Sequence, residues 1–191
     1  MNEKFKTLIE ILIKINHPTL QKYVEIENEE DIKYKLKQMK LDLEQSLINL
    51  YLLKGGINGS SLYDGSFVEL FSFGNFISIN SATSLLLLDR KTLKIYNKKL
   101  PFIQSLTGDT ISIDLDIKSS TKGMLLLFSP SLNLSSNFVT VYDSVEKWIE
   151  TIIKCYETNI YRLNSNKILE IDYKKEKEIS KNINVNSDFW K

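Results

Sequence analysis

The chain has 191 residues, 42% hydrophobic and 26% charged, which excludes a collagen-like or disordered chain and leads us to expect one domain over 1–191 around one core. With 25 basic and 24 acidic residues the formal net charge is +1, so no global field draws nucleic acid or anionic lipid to the molecule. Only Arg90 and Arg162 are arginine, which removes most of the side chains suited to bidentate phosphate or guanine contacts, and direct nucleic-acid binding is not expected.

Phe5, Leu8, Ile9, Leu12 and Ile15 repeat at helical spacing, and His17-Pro18 ends that helix. Charges at Glu10 and Lys14 interrupt its apolar stretch, so it does not read as a signal peptide. Asn28 followed by Glu29, Glu30 and Asp31 announces a second helix with the stripe Ile32, Leu36 and Met39. After a turn at Lys40-Leu41-Asp42 the stripe continues through Leu43, Leu47, Leu50 and Tyr51, and Gly55-Gly56 stops it as a C-terminal glycine should. From Gly55 to Gly65 glycine, serine and asparagine cluster, and strands are expected beyond them: Val68 with Leu70, then Phe76, Ile77 and Ile79. Ser81 and Ser84 are alternative caps for a short helix carrying Leu85 to Leu88.

Pro101 to Ser105 and Thr110 to Leu115 read as strands joined by the turn Leu106-Thr107-Gly108-Asp109, followed by strands at Gly123 to Phe128 and Phe138 to Tyr142. Connections this short make the sheet antiparallel. Asp143 or Ser144 opens a strong closing helix with Val145, Trp148, Ile149, Ile152, Ile153 and Tyr156 on one face. Residues 159–191 form a C-terminal extension with seven basic and five acidic residues, in which Leu169, Ile171 and Tyr173 alternate as a weak strand, Lys174 to Lys181 suits a helix, and Phe189-Trp190 is placed to dock on the core. The fold class is therefore α+β, a central, largely antiparallel sheet with N-terminal helices and a C-terminal helix packed on it.

Chemistry-bearing residues are sparse. The only histidine, His17, stands at a helix exit, where surface or capping duty is the simpler reading than catalysis. The lone Cys155 cannot form an internal disulfide, which suits a cytoplasmic setting, and its place beside the closing helix's stripe reads as packing rather than reactivity. With one His and one Cys a zinc site would be built largely from carboxylates, which is rare for structural zinc, so no metal or cofactor is expected. Gly55-Gly56-Ile57-Asn58-Gly59-Ser60 follows a helix rather than a strand and lacks a Lys-Ser/Thr pair, so it is not a phosphate cradle. Apolar runs such as Leu85 to Leu88 fall far short of the ~20 residues of a membrane span.

The densest acidic stretch is Gly108 to Asp116, where strand alternation sets Ser112, Asp114 and Asp116 on one face and Ile111, Ile113 and Leu115 on the other. Such carboxylates suit a hard cation or a basic partner, but they lack the calcium-loop spacing of alternating acids closed by a glutamate, so two readings lead: Asp109 bonds backbone in its turn while the others solvate an exposed face or strand end, or the acids meet a cationic surface.

The order of several strings resembles the SUKH superfamily, the Smi/Knr-type proteins, over nearly the whole chain. They are Glu29-Glu30-Asp31-Ile32, Leu43 to Tyr51 leading into Lys54-Gly55-Gly56, and Leu100-Pro101-Phe102-Ile103. Gly108 to Leu115 is similar to that family's Gly-Asp, alternating strand, Asp-Leu signature, with Gly123 opening the next strand. Ser144 to Ile149 is similar to its Ser-Phe-x-x-Trp-Leu helix start, and Asn186 to Trp190 to a common ending. The chain departs from the pattern at Leu43-Glu44, where the family often has Leu-Pro, and at Gly55-Gly56, where it often has Asn-Gly. The resemblance implies a SUKH-like α+β domain and, in bacteria, an immunity protein that binds and neutralises a toxin of a polymorphic or contact-dependent secretion system, without catalysis. The alternative it allows is a regulatory scaffold with a housekeeping partner. A nuclease toxin presents a basic cleft, so the expected partner-binding residues are Tyr63, Asp64, Glu69, Asp109, Asp114 and Asp116, on a protein that is a monomer when free.

Overall fold

A computed structural model of the chain describes residues 2–63, 68–129 and 137–191. Helix α1 (Asn2–Lys14) turns Phe5, Leu8 and Leu12 into the core. It ends where His17 opens a single 3-10 turn over Pro18–Lys22, the imidazole Nδ1 accepting the Thr19 N–H at 3.2 Å. Helix α2 (Glu29–Gln38) is capped as its sequence predicts, Asn28 Oδ1 accepting the Asp31 N–H at 2.9 Å with three acids in the first turn. Helix α3 (Gln45–Leu53) follows. Lys40 adopts φ 53° between α2 and α3, and this reversal buries Leu41 and leaves Leu43 exposed, against the expected stripe.

The glycines after α3 serve close approach rather than capping. Lys54 is extended, and a Cβ on Gly55 would stand 2.4 Å from the Glu25 carbonyl oxygen, because the segment before α2 lies directly against this backbone. The Val24 N–H donates to the Gly56 carbonyl there at 2.8 Å.

Five strands form one antiparallel meander in chain order: β1 (Asn75–Phe76), β2 (Lys99–Gln104), β3 (Thr110–Asp114), β4 (Leu125–Phe128) and β5 (Val139–Tyr142). Pro101, which has no N–H to give a ladder, is tolerated in β2 because β1 pairs only with Ile103 and Gln104, leaving that side of Pro101 open. The register shifts between Pro101 and Ile103. Every residue of β3 is buried, so both faces of the sheet's centre are covered, and the exposed polar face expected for Ser112 and Asp114 does not exist.

Two further expectations are corrected. Val68 and Leu70 belong to no strand, and Ile79 is the first residue of a helix, α4 (Ile79–Lys91), capped by Ser78, whose Oγ accepts the Ser81 N–H at 3.2 Å. The helix starts earlier than a cap at Ser81 or Ser84 would place it because the Ile77 N–H is already committed to the Phe102 carbonyl, which fixes where the extended segment ends.

Helix α5 (Val145–Glu157) starts at Ser144, whose Oγ accepts the Lys147 N–H, and buries Val145, Trp148, Ile149, Ile152, Cys155 and Tyr156. Trp148 meets Phe102 of β2 edge-on at 5.7 Å, fixing α5 on the sheet. Full burial of each large apolar side chain contributes ~1.5–3 kcal/mol, which makes this face a major part of the core.

The C-terminal segment is tied to the same core. A hairpin, β6 (Tyr161–Leu163) with β7 (Leu169–Ile171), precedes helix α6 (Tyr173–Ile183). Tyr173 is the first residue of that helix, not the end of a strand, because Asp172 caps it by accepting the Lys175 N–H at 3.2 Å. Beyond α6, Ser187 Oγ and the Phe189 N–H donate to the Thr140 carbonyl of β5, and the buried Trp190 indole donates to the Val141 carbonyl at 2.8 Å. Among the described residues no helix is long and apolar enough to cross a membrane.

Candidate functional site

The six expected interface residues do not form one patch. Asp64 lies outside the described residues, as does the side chain of Tyr63. The other four separate to the two ends of β3, because a strand advances about 3.3 Å per residue and Asp109 and Asp116 flank it on opposite sides.

At the far end Asp114 is fully buried. Its carboxylate accepts hydrogen bonds from Ser119 Oγ at 2.6 Å, Thr121 Oγ1 at 2.7 Å and the Asp116 N–H at 3.0 Å. Burial alone would raise its pKa, but these donors, with the Lys99 charge, hold it below the usual carboxylate value. Asp114 is therefore a clasp on the β3–β4 connection and presents no surface to a partner. Asp116 remains half-exposed but is engaged: Lys98 Nζ lies 3.3 Å from both Asp116 and Asp42, and Asp42 also accepts the Ile117 N–H at 3.1 Å. This network ties the β3–β4 connection to the loop between α2 and α3.

At the near end Glu69 and Asp109 come together, both partly accessible. The Glu69 segment is held from three sides. Thr19 Oγ1 and Asn75 Nδ2 donate to the Val68 carbonyl at 2.8 and 3.2 Å, and the Tyr156 hydroxyl donates to the Leu70 carbonyl at 2.7 Å. Below it runs the tight turn Phe71–Gly74, in which Gly74 has φ 108° and a Cβ would collide with the Gln104 carbonyl at 2.1 Å, so only glycine fits. Glu69 itself reaches the β2–β3 turn, accepting the Leu106 N–H at 3.2 Å. Burial raises its pKa, the Leu106 hydrogen bond opposes that, and the Asp109 charge adds to it. In the same turn the Thr107 hydroxyl donates to Asp109 Oδ2 at 2.7 Å, and Ser105 Oγ accepts the Asp109 N–H at 3.1 Å.

Glu69 and Asp109 stand on the wall of a cavity of about 600 Å³. Its other walls are Phe73, Phe189 and Trp190, whose rings pack edge-to-face at 4.8–5.8 Å, and α6, which contributes Tyr173, Glu176 and Lys177. Glu176 is buried and accepts from the hydroxyls of Ser72 and Tyr161. Its pKa is raised by burial, which those two hydrogen bonds offset only in part. The sequence reading missed Glu176, although its place one turn before Ile179 and Ser180 puts it on the helix face that packs inward. A second groove, of about 550 Å³ between Asn58–Ser60 and the start of α4, is lined by hydroxyls, amides and apolar groups without an ionisable side chain.

The residues weighed for catalysis are internal. His17 is buried, its ring edge-on to Tyr156 at 6.2 Å, and burial pushes its pKa down to about 4 against the pull of the Glu69 backbone carbonyl. It caps a turn, as expected, but not at the surface. Cys155 is fully buried and its thiol is pushed up to about 12 by burial and by the Glu176 charge, so it is a packing group. Among the described residues no three His, Cys, Asp or Glu side chains converge to hold a metal ion.

In comparisons with known proteins, no family model and no curated protein matches this chain.

Proposed function

We propose that this protein is a SUKH-type immunity protein, which binds and neutralises a cognate toxin of a bacterial polymorphic or contact-dependent system. The observation that carries the reading is the near end of β3: two partly exposed carboxylates, Glu69 and Asp109, beside an aromatic-walled cavity on a rigid support. Such a surface complements the basic substrate cleft of a nucleic-acid-cleaving toxin, since buried aromatic anchors with acidic neighbours give both affinity and charge selection. The fold supports the resemblance at the strings that suggested it: Gly108-Asp109 closes the β2–β3 turn, Asp114 ends β3, and Ser144 caps the helix that buries Trp148. An inhibitor needs only such a scaffold and a complementary face, not a reactive group.

Tagging the protein in its native host and identifying by mass spectrometry what co-purifies in stoichiometric amount tests this. A toxin domain, with toxicity relieved by co-expression, is the expected result. A housekeeping enzyme or signalling protein in its place would make the protein a regulatory scaffold and overturn the immunity reading.

A further inference from the structure

We infer that the cavity between the β2–β3 turn and α6 is a receptor for one cationic side chain, arginine or lysine, of the protein partner; the inference rests on the partner-binding reading above. Three features of the cavity carry it. Its volume, about 600 Å³, lies in the range that encloses a small ligand or an inserted side chain. Its walls combine three carboxyls, Glu69, Asp109 and Glu176, with one ammonium, Lys177, so the lining selects positive charge. Its apolar surface is aromatic, Phe73, Phe189 and Trp190, the surface that holds the alkyl stem and flanks the head of a guanidinium or ammonium group.

The three carboxyls line the cavity without converging on one point, as a metal ion would require. They suit a longer cation, with Glu176 deep among the Ser72 and Tyr161 hydroxyls and Glu69 and Asp109 on the β2–β3 side. The groove of similar size near α4 lacks any ionisable group and has no such preference. Burial raises the pKa of both Glu69 and Glu176, and a cation seated in the cavity would pull both back down.

The probe is N-acetyl-arginine methylamide, with the neutral N-acetyl-citrulline methylamide as its near-isostere, titrated into the whole protein and followed by the Trp190 indole N–H and the Gly108 and Asp109 amides in NMR. The arginine compound is expected to shift these signals saturably and the citrulline compound to leave them in place. Glu69→Gln and Asp109→Asn keep the acceptor oxygens used by Leu106 and Thr107, so the fold is retained, and each weakens the probe about two- to fivefold. Equal shifts from both compounds, or shifts confined to other residues, overturn the inference. So does saturable binding of free putrescine without a response to the arginine compound, which would assign the cavity to a free amine. The partner reading fails separately: if the probe binds here and no protein co-purifies, the receptor stands without its presumed owner. If a toxin co-purifies and binds E69Q/D109N as tightly as the native protein, the immunity reading stands and the cavity inference falls.

Discussion

The two ends of β3 both carry acids, yet one end is a structural clasp and the other borders an open cavity. Asp114 is surrounded by donors from its own connection, Ser119, Thr121 and the Asp116 backbone, and is buried by them. Asp109 sits in a two-stranded turn whose own hydroxyl and backbone groups leave it partly accessible, beside a cavity closed by residues from far along the chain. Acid type and local spacing do not distinguish the two cases; burial does, complete at Asp114 and partial at Asp109.

The largest expected effect breaks the clasp. Asp114→Ala leaves two hydroxyls and a backbone N–H without their charged acceptor, and is expected to cost about 3 kcal/mol in denaturant unfolding. Asp109→Asn should change stability by less than about 0.5 kcal/mol. Equal losses would erase the distinction between the two ends. Because the Asp114 pKa is depressed in the folded protein, its contribution is present above the ordinary aspartate value and lost as the pH falls through the folded value. Asp114→Asn should therefore flatten the acid limb of the stability curve.

Next in size is a pH effect specific to the near end, which His17 supports through Thr19: the imidazole Nδ1 accepts the Thr19 N–H, and Thr19 Oγ1 donates to the Val68 carbonyl. The folded imidazole titrates at about 4 against 6.5 when unperturbed, so the native state binds fewer protons than the unfolded chain between these values. The His17 contribution is present above 6.5 and is lost as the pH drops towards 4, by on the order of 3 kcal/mol. Amide exchange at pH 5 should loosen the segment at Val68–Leu70 while the Asp114 clasp stays protected, and His17→Asn, which keeps a capping acceptor, should remove the dependence.

Glu176 divides the cavity's structural and electrostatic roles. Its raised pKa means that its contribution is most favourable below the ordinary glutamate value and is lost as the pH rises through the folded value. Glu176→Gln, still able to accept from Ser72 and Tyr161, should match or exceed native stability at neutral pH, whereas Glu176→Ala should lose about 1–3 kcal/mol by orphaning both hydroxyls. Thermal melts of the two variants separate these effects. The smallest change is expected at the exposed Lys98 network, where Asp116→Asn should lower the melting temperature slightly at low salt and not at all at high salt.

The chain's own pattern was sufficient for α1, α2, α5 and the β2–β3 hairpin, because each is specified within a dozen residues: an apolar stripe at helical spacing, an Asn28 or Ser144 cap, or a turn at Gly108-Asp109 between alternating runs. It was insufficient where a distant partner decided the outcome. The start of α4 depends on Phe102, the need for Gly55 on Glu25, and the burial of Leu41 rather than Leu43 on a left-handed residue at Lys40. Of the candidate site, Glu69 and Asp109 were legible as acids near aromatics. Their meeting with Glu176 and Trp190 was not, since the sequence separations exceed any local pattern.

Short-range period and caps thus specify the class of the fold, an antiparallel sheet with helices before it, after it and, at α4, between its first two strands. Only the tertiary structure decided which acids are spent inside and which face outward. That depends on burial and on donors brought together by long-range packing, and a carboxylate's role follows from those surroundings rather than from its place in the chain.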